Sequence, residues 1–213
     1  MRKIIWLLAA GLAYLAAAPF ALAQDDAMSF FVTSEGSGNG GDLGGLDGAD
    51  AHCQALAEAA GAGDKTWHAY LGTERPDGRG EHARLRIGDG PWHNADGVLI
   101  ANDLHELHVS PNISKATALT ENGGGVRGFG DQGNQHDTLT GAMGDGTAFF
   151  PYDADHTCNN WTSSGEGSAQ VGHTDRVGGG NMSWNSAHGS RGCSQEALVG
   201  TGGAGLFYCF AID

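Results

Sequence analysis

The sequence predicts an α+β fold, with two helices packed on a twisted antiparallel sheet and long loops between the elements. Three observations lead there. Residues 46–60 carry an amphipathic helical repeat, and 104–108 a short capped one. The rest of the chain is made of short alternating or apolar runs, which read as strands. The 37 glycines cluster at 36–48, 121–133 and 178–180, where they mark loops rather than helix interiors. Helices segregated from a run of strands define the α+β class.

Taken in order, Ser29-Phe30-Phe31-Val32-Thr33 is a strand candidate, followed by a glycine-rich loop, Gly36 to Gly45. Leu46, Ala49, Cys53, Leu56, Ala57 and Ala60 then share one helical face. Asp47 is the expected N-cap and Gly61 the stop. That face places Cys53 on the core side. Trp67 to Leu71 alternates as a strand. Residues 72–90 are turn-rich, and Pro91 to Gly97 reads as a strand end and turn. Asn102-Asp103 is expected to cap a short helix, Leu104 to His108, with Pro111 beyond it. Thr138 to Gly141 and Thr147 to Phe150 flank Gly144-Asp145-Gly146, a hairpin signal. Leu206 to Ile212 is apolar on both faces, so it should be a central strand.

The charge balance excludes some partners. With 25 Asp+Glu against 11 Lys+Arg the formal net charge is −14, and only 17% of residues are charged. A nucleic-acid or heparin binder needs a basic footprint, which is missing here. Residues 1–23 read as a secretory signal peptide. Arg2 and Lys3 form its basic start, Ile4 to Phe20 its apolar run, and Ala21-Leu22-Ala23 its small-residue cleavage site. Residues 24–213 then form a single exported domain, secreted or periplasmic, with no stable membrane insertion after cleavage. Cys53, Cys158, Cys193 and Cys209 all lie in this exported part, and an even count in an oxidising compartment implies two disulfides. Spacing alone leaves three pairings open.

Three segments together resemble a known family. They are Gly44-Gly45-Leu46-Asp47-Gly48-Ala49-Asp50-Ala51-His52-Cys53 running on to Ala69-Tyr70-Leu71, then Thr140-Gly141 through Asp145-Gly146-Thr147 to Cys158-Asn159-Asn160-Trp161, and finally Ser190 to Cys193 leading to Leu206-Phe207-Tyr208-Cys209. Their order is similar to endostatin, the C-terminal domain of collagens XV and XVIII. It looks still more like exported lectin-like proteins of bacteria. Both groups have the C-type lectin-like fold. The resemblance implies the pairing Cys53–Cys209 and Cys158–Cys193, and a recognition function rather than catalysis.

Candidate binding residues follow from that expectation. Calcium-dependent lectins of this fold use E-P-N or Q-P-D and W-N-D motifs. Here Trp184-Asn185-Ser186 lacks the aspartate, and neither tripeptide occurs. Calcium wants six to eight oxygens, so loop carboxylates Asp145, Asp153 and Asp155 are the calcium candidates, with Asp131 and Asp137 nearby. Sugar binding without a metal needs an aromatic platform flanked by planar polar groups. Trp184, Asn185, Asn159, Asn160 and His188 fit that description, whereas Trp161 reads as packing. His105 and His108, Asp155-His156 and His173-x-Asp175 suggest metal ligands in pairs. Convergence of three cannot be read from spacing, and the expectation is loop histidines without a metal. Endostatin's N-terminal zinc histidine has no counterpart in Gln24-Asp25-Asp26. No G-x-S-x-G elbow is present, and all four cysteines are assigned to bridges, so no enzyme is expected. The expected function is an exported lectin-like module binding carbohydrate through the loop region 131–192. The alternative is a protein-interaction or structural module of the cell envelope with no sugar site.

Overall fold

The computed structural model describes residues 28–75, 78–150 and 154–213. The signal-peptide reading of residues 1–23 and the calcium candidate Asp153 lie outside the described residues. β1 (Phe30–Val32), α1 (Gly45–Ala59) and β2 (Trp67–Ala69) come first. Two small ladders follow, β3 (Glu74–Arg75) with β4 (Gly78–Arg79) and β5 (Trp92–His93) with β6 (Leu99–Ala101). Then come α2 (Leu104–Val109), β7 (Asp137–Leu139), α3 (Cys158–Trp161), β8 (Gln170–His173), β9 (His188–Gly189), α4 (Gln195–Thr201) and β10 (Gly203–Ala211).

The main sheet has the order β1-β10-β7-β8-β9, with β2 also on β10. The C-terminal half of β10 lies between β1 and β2, with Cys209 opposite both Phe31 and Ala69. Its N-terminal half pairs with β7 in parallel. The sheet is therefore mixed, which corrects the all-antiparallel expectation. A parallel pair needs a long crossover, and β8, β9 and α4 occupy the connection from β7 to β10.

β10 is the central strand the apolar run predicted. Phe207, Cys209 and Ala211 join a core with α1, Trp67 and Trp161. The alternate residues Leu206, Tyr208 and Phe210 join a second core with Trp92, Ile100, Leu107 and Trp184. Period-two alternation thus feeds both faces of one strand into separate cores. α1 begins at Gly45, after Gly44 turns the chain at φ 77°, so Asp47 sits inside the first turn rather than capping it. Asp103 does cap α2, its carboxylate accepting the Glu106 N–H.

The hairpin expected around Gly144-Asp145-Gly146 shrinks to a single bridge, Ala142 to Ala148. Gly141 explains why. At φ 57° it bends the chain away after β7, and a Cβ there would lie 2.6 Å from the Trp161 ring. β7 pairs with β8 and β10 instead.

Two disulfides hold the fold, Cys53–Cys209 and Cys158–Cys193, each with Cα atoms 5.6 Å apart. They are the pair the resemblance implies. The inner bridge anchors α3, a single turn in which Cys158, Asn159, Asn160 and Trp161 all have positive φ. A left-handed turn is costly for residues with a Cβ, and asparagine tolerates it best. Asp155 offsets the cost by accepting N–H groups of Thr157 and Asn159. Trp161 Nε1 donates to the Gly72 carbonyl at 2.8 Å. Among the described residues, no helix is long and apolar enough to cross a membrane.

Candidate functional site

Most of the residues singled out in the sequence are structural. Trp184 is 3% exposed and packs against the rings of Tyr70, His108 and Tyr208. It leaves no face for a sugar ring, which corrects its reading as a stacking platform. Asn185 is 1% exposed, and its amide donates to Tyr70 Oη and to the Met143 and Gly144 carbonyls. Asn160 pairs with both backbone groups of Glu74, like one residue of a ladder. Asn159 is exposed and caps Thr162. These four do not form a common binding face.

The calcium candidates are turn residues. Asp145 accepts from the Thr147 hydroxyl and N–H, and these hydrogen bonds hold its carboxyl below the usual range. Asp155 serves α3, as described above. Among the described residues neither belongs to a group of three converging ligand atoms.

His188 alone leads to a different site. The strand register brings it together with His136, Asp137 and His173. Asp137 opens β7 directly opposite His173 at the end of β8, and β9 brings His188 alongside Val171. Gly172 makes that return possible, because a Cβ there would strike the Trp184 carbonyl as the 174–187 loop folds back over β8.

The side chains converge on one carboxylate oxygen. Asp137 Oδ1 lies 3.2 Å from His136 Nε2, 3.4 Å from His173 Nε2 and 3.7 Å from His188 Nε2. His173 and His188 approach Nε2 to Nε2 at 3.0 Å. The Asp137 side chain is only 2% exposed, yet no well-aligned hydrogen bond reaches either of its oxygens. Its burial raises its pKa, because desolvation penalises the charged form. Behind His136 stands Asp175, whose Oδ1 takes the Nδ1 proton at 2.9 Å. Burial works against the Asp175 charge, but hydrogen bonds from the Phe129 and Val177 N–H groups and from His136 outweigh it and hold the carboxyl low.

His136, His173 and His188 form the floor of a cleft of about 160 Å³ lined also by Phe129, Asn134, Gly178, Gly179 and Thr201, and Asp137 sits against their Nε2 atoms without lining it. Phe129, 60% exposed as a residue, stands at its rim. The His188 side chain is 43% exposed, whereas those of His136 and His173 are buried.

Burial, together with the neighbouring His136 and His188, lowers the His173 pKa to about 4. A histidine held neutral in the fold contributes stability above its unfolded pKa of roughly 6.5, and that contribution fades as pH falls toward 4. An NMR titration of the metal-free protein should therefore find the His173 imidazole neutral at pH 5.5. A midpoint near 6.5 would contradict this environment.

The sequence reading had singled out His173-x-Asp175, His188 and the loop carboxylate Asp137, but separately and in different roles. The adjacent His136-Asp137 pair matches no motif, and only the β7–β8–β9 register brings it to His173 and His188. No family model matches the sequence, and no curated protein does.

Proposed function

We propose that the protein is an exported recognition module of C-type lectin-like architecture, binding carbohydrate in the cleft beside Phe129. Two disulfides suit an oxidising, extracytoplasmic compartment. The observation that carries the ligand class is the ring of Phe129, a residue 60% exposed, standing over hydrogen-bonding side chains. The C–H face of a sugar packs on such a ring, while hydroxyls pair with imidazole, amide and hydroxyl groups. His188, Asn134 and Thr201 supply those groups at the cleft wall. The recognition face thus moves from Trp184 to Phe129, and both Phe129 and Thr201 lie outside the 131–192 region expected from sequence.

A glycan array probed with the 24–213 chain tests this. Binding is expected, with Phe129→Ala weakening it about tenfold, the scale of one lost aromatic contact. A blank array for the unmodified chain would overturn the carbohydrate reading. The second reading is a protein partner. It is favoured by Phe129 and Val177, both exposed and both tied by their N–H groups to Asp175. A blank array together with Phe129-dependent capture of one cell-surface protein would select it.

A further inference from the structure

We propose that the floor of this cleft binds a divalent transition-metal ion through Asp137 Oδ1 and the Nε2 atoms of His136 and His173, with His188 Nε2 as an exchangeable fourth donor. The proposal rests on atoms beneath the cleft and holds whether or not the cleft takes a sugar.

Geometry is the first support. The four measured separations among these atoms run from 3.0 to 3.7 Å. Donors bound to one tetrahedral ion at about 2.0–2.1 Å stand roughly 3.3 Å apart. The ligand atoms of His136, Asp137 and His173 also lie mutually within 4.8 Å.

Proton accounting is the second. In a neutral His136 whose Nδ1–H donates to Asp175, Nε2 is the lone-pair nitrogen. In a neutral His188 whose Nδ1–H donates to the Gly189 carbonyl at 3.1 Å, Nε2 is again the lone-pair nitrogen. In that state two lone-pair nitrogens lie 3.2 and 3.7 Å from Asp137 Oδ1. His173 can place one proton there, which cannot serve all of them. A cation satisfies every donor at once. Asp137 supplies the independent sign of a missing partner, since both its oxygens are buried with no hydrogen bond.

Two of the three histidines also have an outer partner, whereas His173 Nδ1 is buried without a hydrogen-bond partner. Metal-bound histidines usually pass their second N–H to a carboxylate or a carbonyl. Asp175 and the Gly189 carbonyl play those two parts. Asp137 and Asp175 together carry two negative charges, which balance a divalent ion.

The donor set also selects the metal. Imidazole nitrogens with one carboxylate suit zinc, cobalt, nickel or copper, whereas calcium needs six to eight oxygens. Three donors are buried, and His188 lies at the open side of the cleft. The ion would therefore face the cleft once His188 swings away, as in sites that keep one position for an outside ligand.

Cobalt(II) is the probe, because its visible absorption reports coordination. EDTA-stripped, disulfide-intact protein is titrated with cobalt and then with zinc. The expected result is saturation at one equivalent per chain, displacement by zinc, and no displacement by millimolar calcium. Asp137→Asn should weaken cobalt binding more than about a hundredfold, beyond the usual cost of losing an outer partner. Its metal-free melting temperature should be no lower than that of the unmodified protein, since a neutral isostere replaces a buried carboxyl that makes no hydrogen bond, so lost binding cannot be blamed on misfolding. His188→Ala should keep the ion at about tenfold lower affinity and make its spectrum respond to added imidazole. Absence of saturable cobalt binding, or equal binding by the Asp137→Asn protein, overturns the proposal.

Discussion

Replacing Cys53 and Cys209 together by alanine should cost about 5 kcal/mol of stability. The bridge spans 156 residues, and its main effect is to shrink the unfolded ensemble. It joins the buried face of α1 to the centre of β10, so it also crosses the core it stabilises. A domain of this size has only about 5–15 kcal/mol in total. The double variant should therefore be largely unfolded well below the melting temperature of the oxidised protein. The inner bridge spans 35 residues and should cost about 4 kcal/mol by the same reasoning. Denaturant unfolding of both variants measures the two numbers. A change below about 1 kcal/mol for the outer pair would remove chain entropy as the explanation of its role.

Asp50→Ala should cost about 3 kcal/mol, through a different mechanism. Arg86 makes a two-pronged contact with Asp50, at 2.6 and 2.7 Å, while its side chain is only 8% exposed. Asp50 Oδ1 accepts the Ala69 N–H as well, so one carboxylate ties α1 to β2 and to the segment carrying Arg86. Truncating it leaves the buried guanidinium with only longer contacts, to exposed Glu81 at 3.4 Å and the Ala69 carbonyl at 3.3 Å, and orphans a backbone donor. The effect sits at the low end for a buried pair because the Asp50 side chain is 22% exposed. Asp50→Ala combined with Arg86→Met should recover most of the loss, because no charge is then left buried. Thermal melts of the single and double variants separate the two outcomes. If the double variant is as unstable as Asp50→Ala, packing rather than charge burial controls the site.

Residues with a strong local signal were legible from sequence. The α1 face from Ala49 to Ala57, the Asp103 cap and the run of β10 apolar on both faces all depend on near neighbours along the chain; the first two appear where expected, and the strand expected over Leu206–Ile212 spans Gly203–Ala211. The parallel pairing of β7 with β10 was not legible, because it joins residues far apart in sequence. α4 was missed for a local reason. Seven residues ending near Gly200 and Gly202 give too short a period to read, although Ser194 caps it by accepting the Ala197 N–H.

The site followed the same division. Trp184 looked like a platform because exposed tryptophans bind sugars, but its burial depends on Tyr70 and Tyr208 from distant strands. Asn159 and Asn160 looked like ligand contacts and instead stabilise a left-handed turn, which single-chain spacing does not reveal. Asp137 was one of several loop aspartates. Only the β7–β8 register shows that it lies opposite His173 with no hydrogen-bonding partner. Phe129 had no periodic or motif context at all, and its importance comes from standing exposed beside His136.

The most direct test of the histidine–aspartate centre is a crystal of the 24–213 chain grown with zinc and measured at the zinc absorption edge. One anomalous peak should appear about 2.0–2.2 Å from Asp137 Oδ1 and from the Nε2 atoms of His136 and His173. Density with no peak among those atoms, or zinc bound only elsewhere on the surface, would contradict the account.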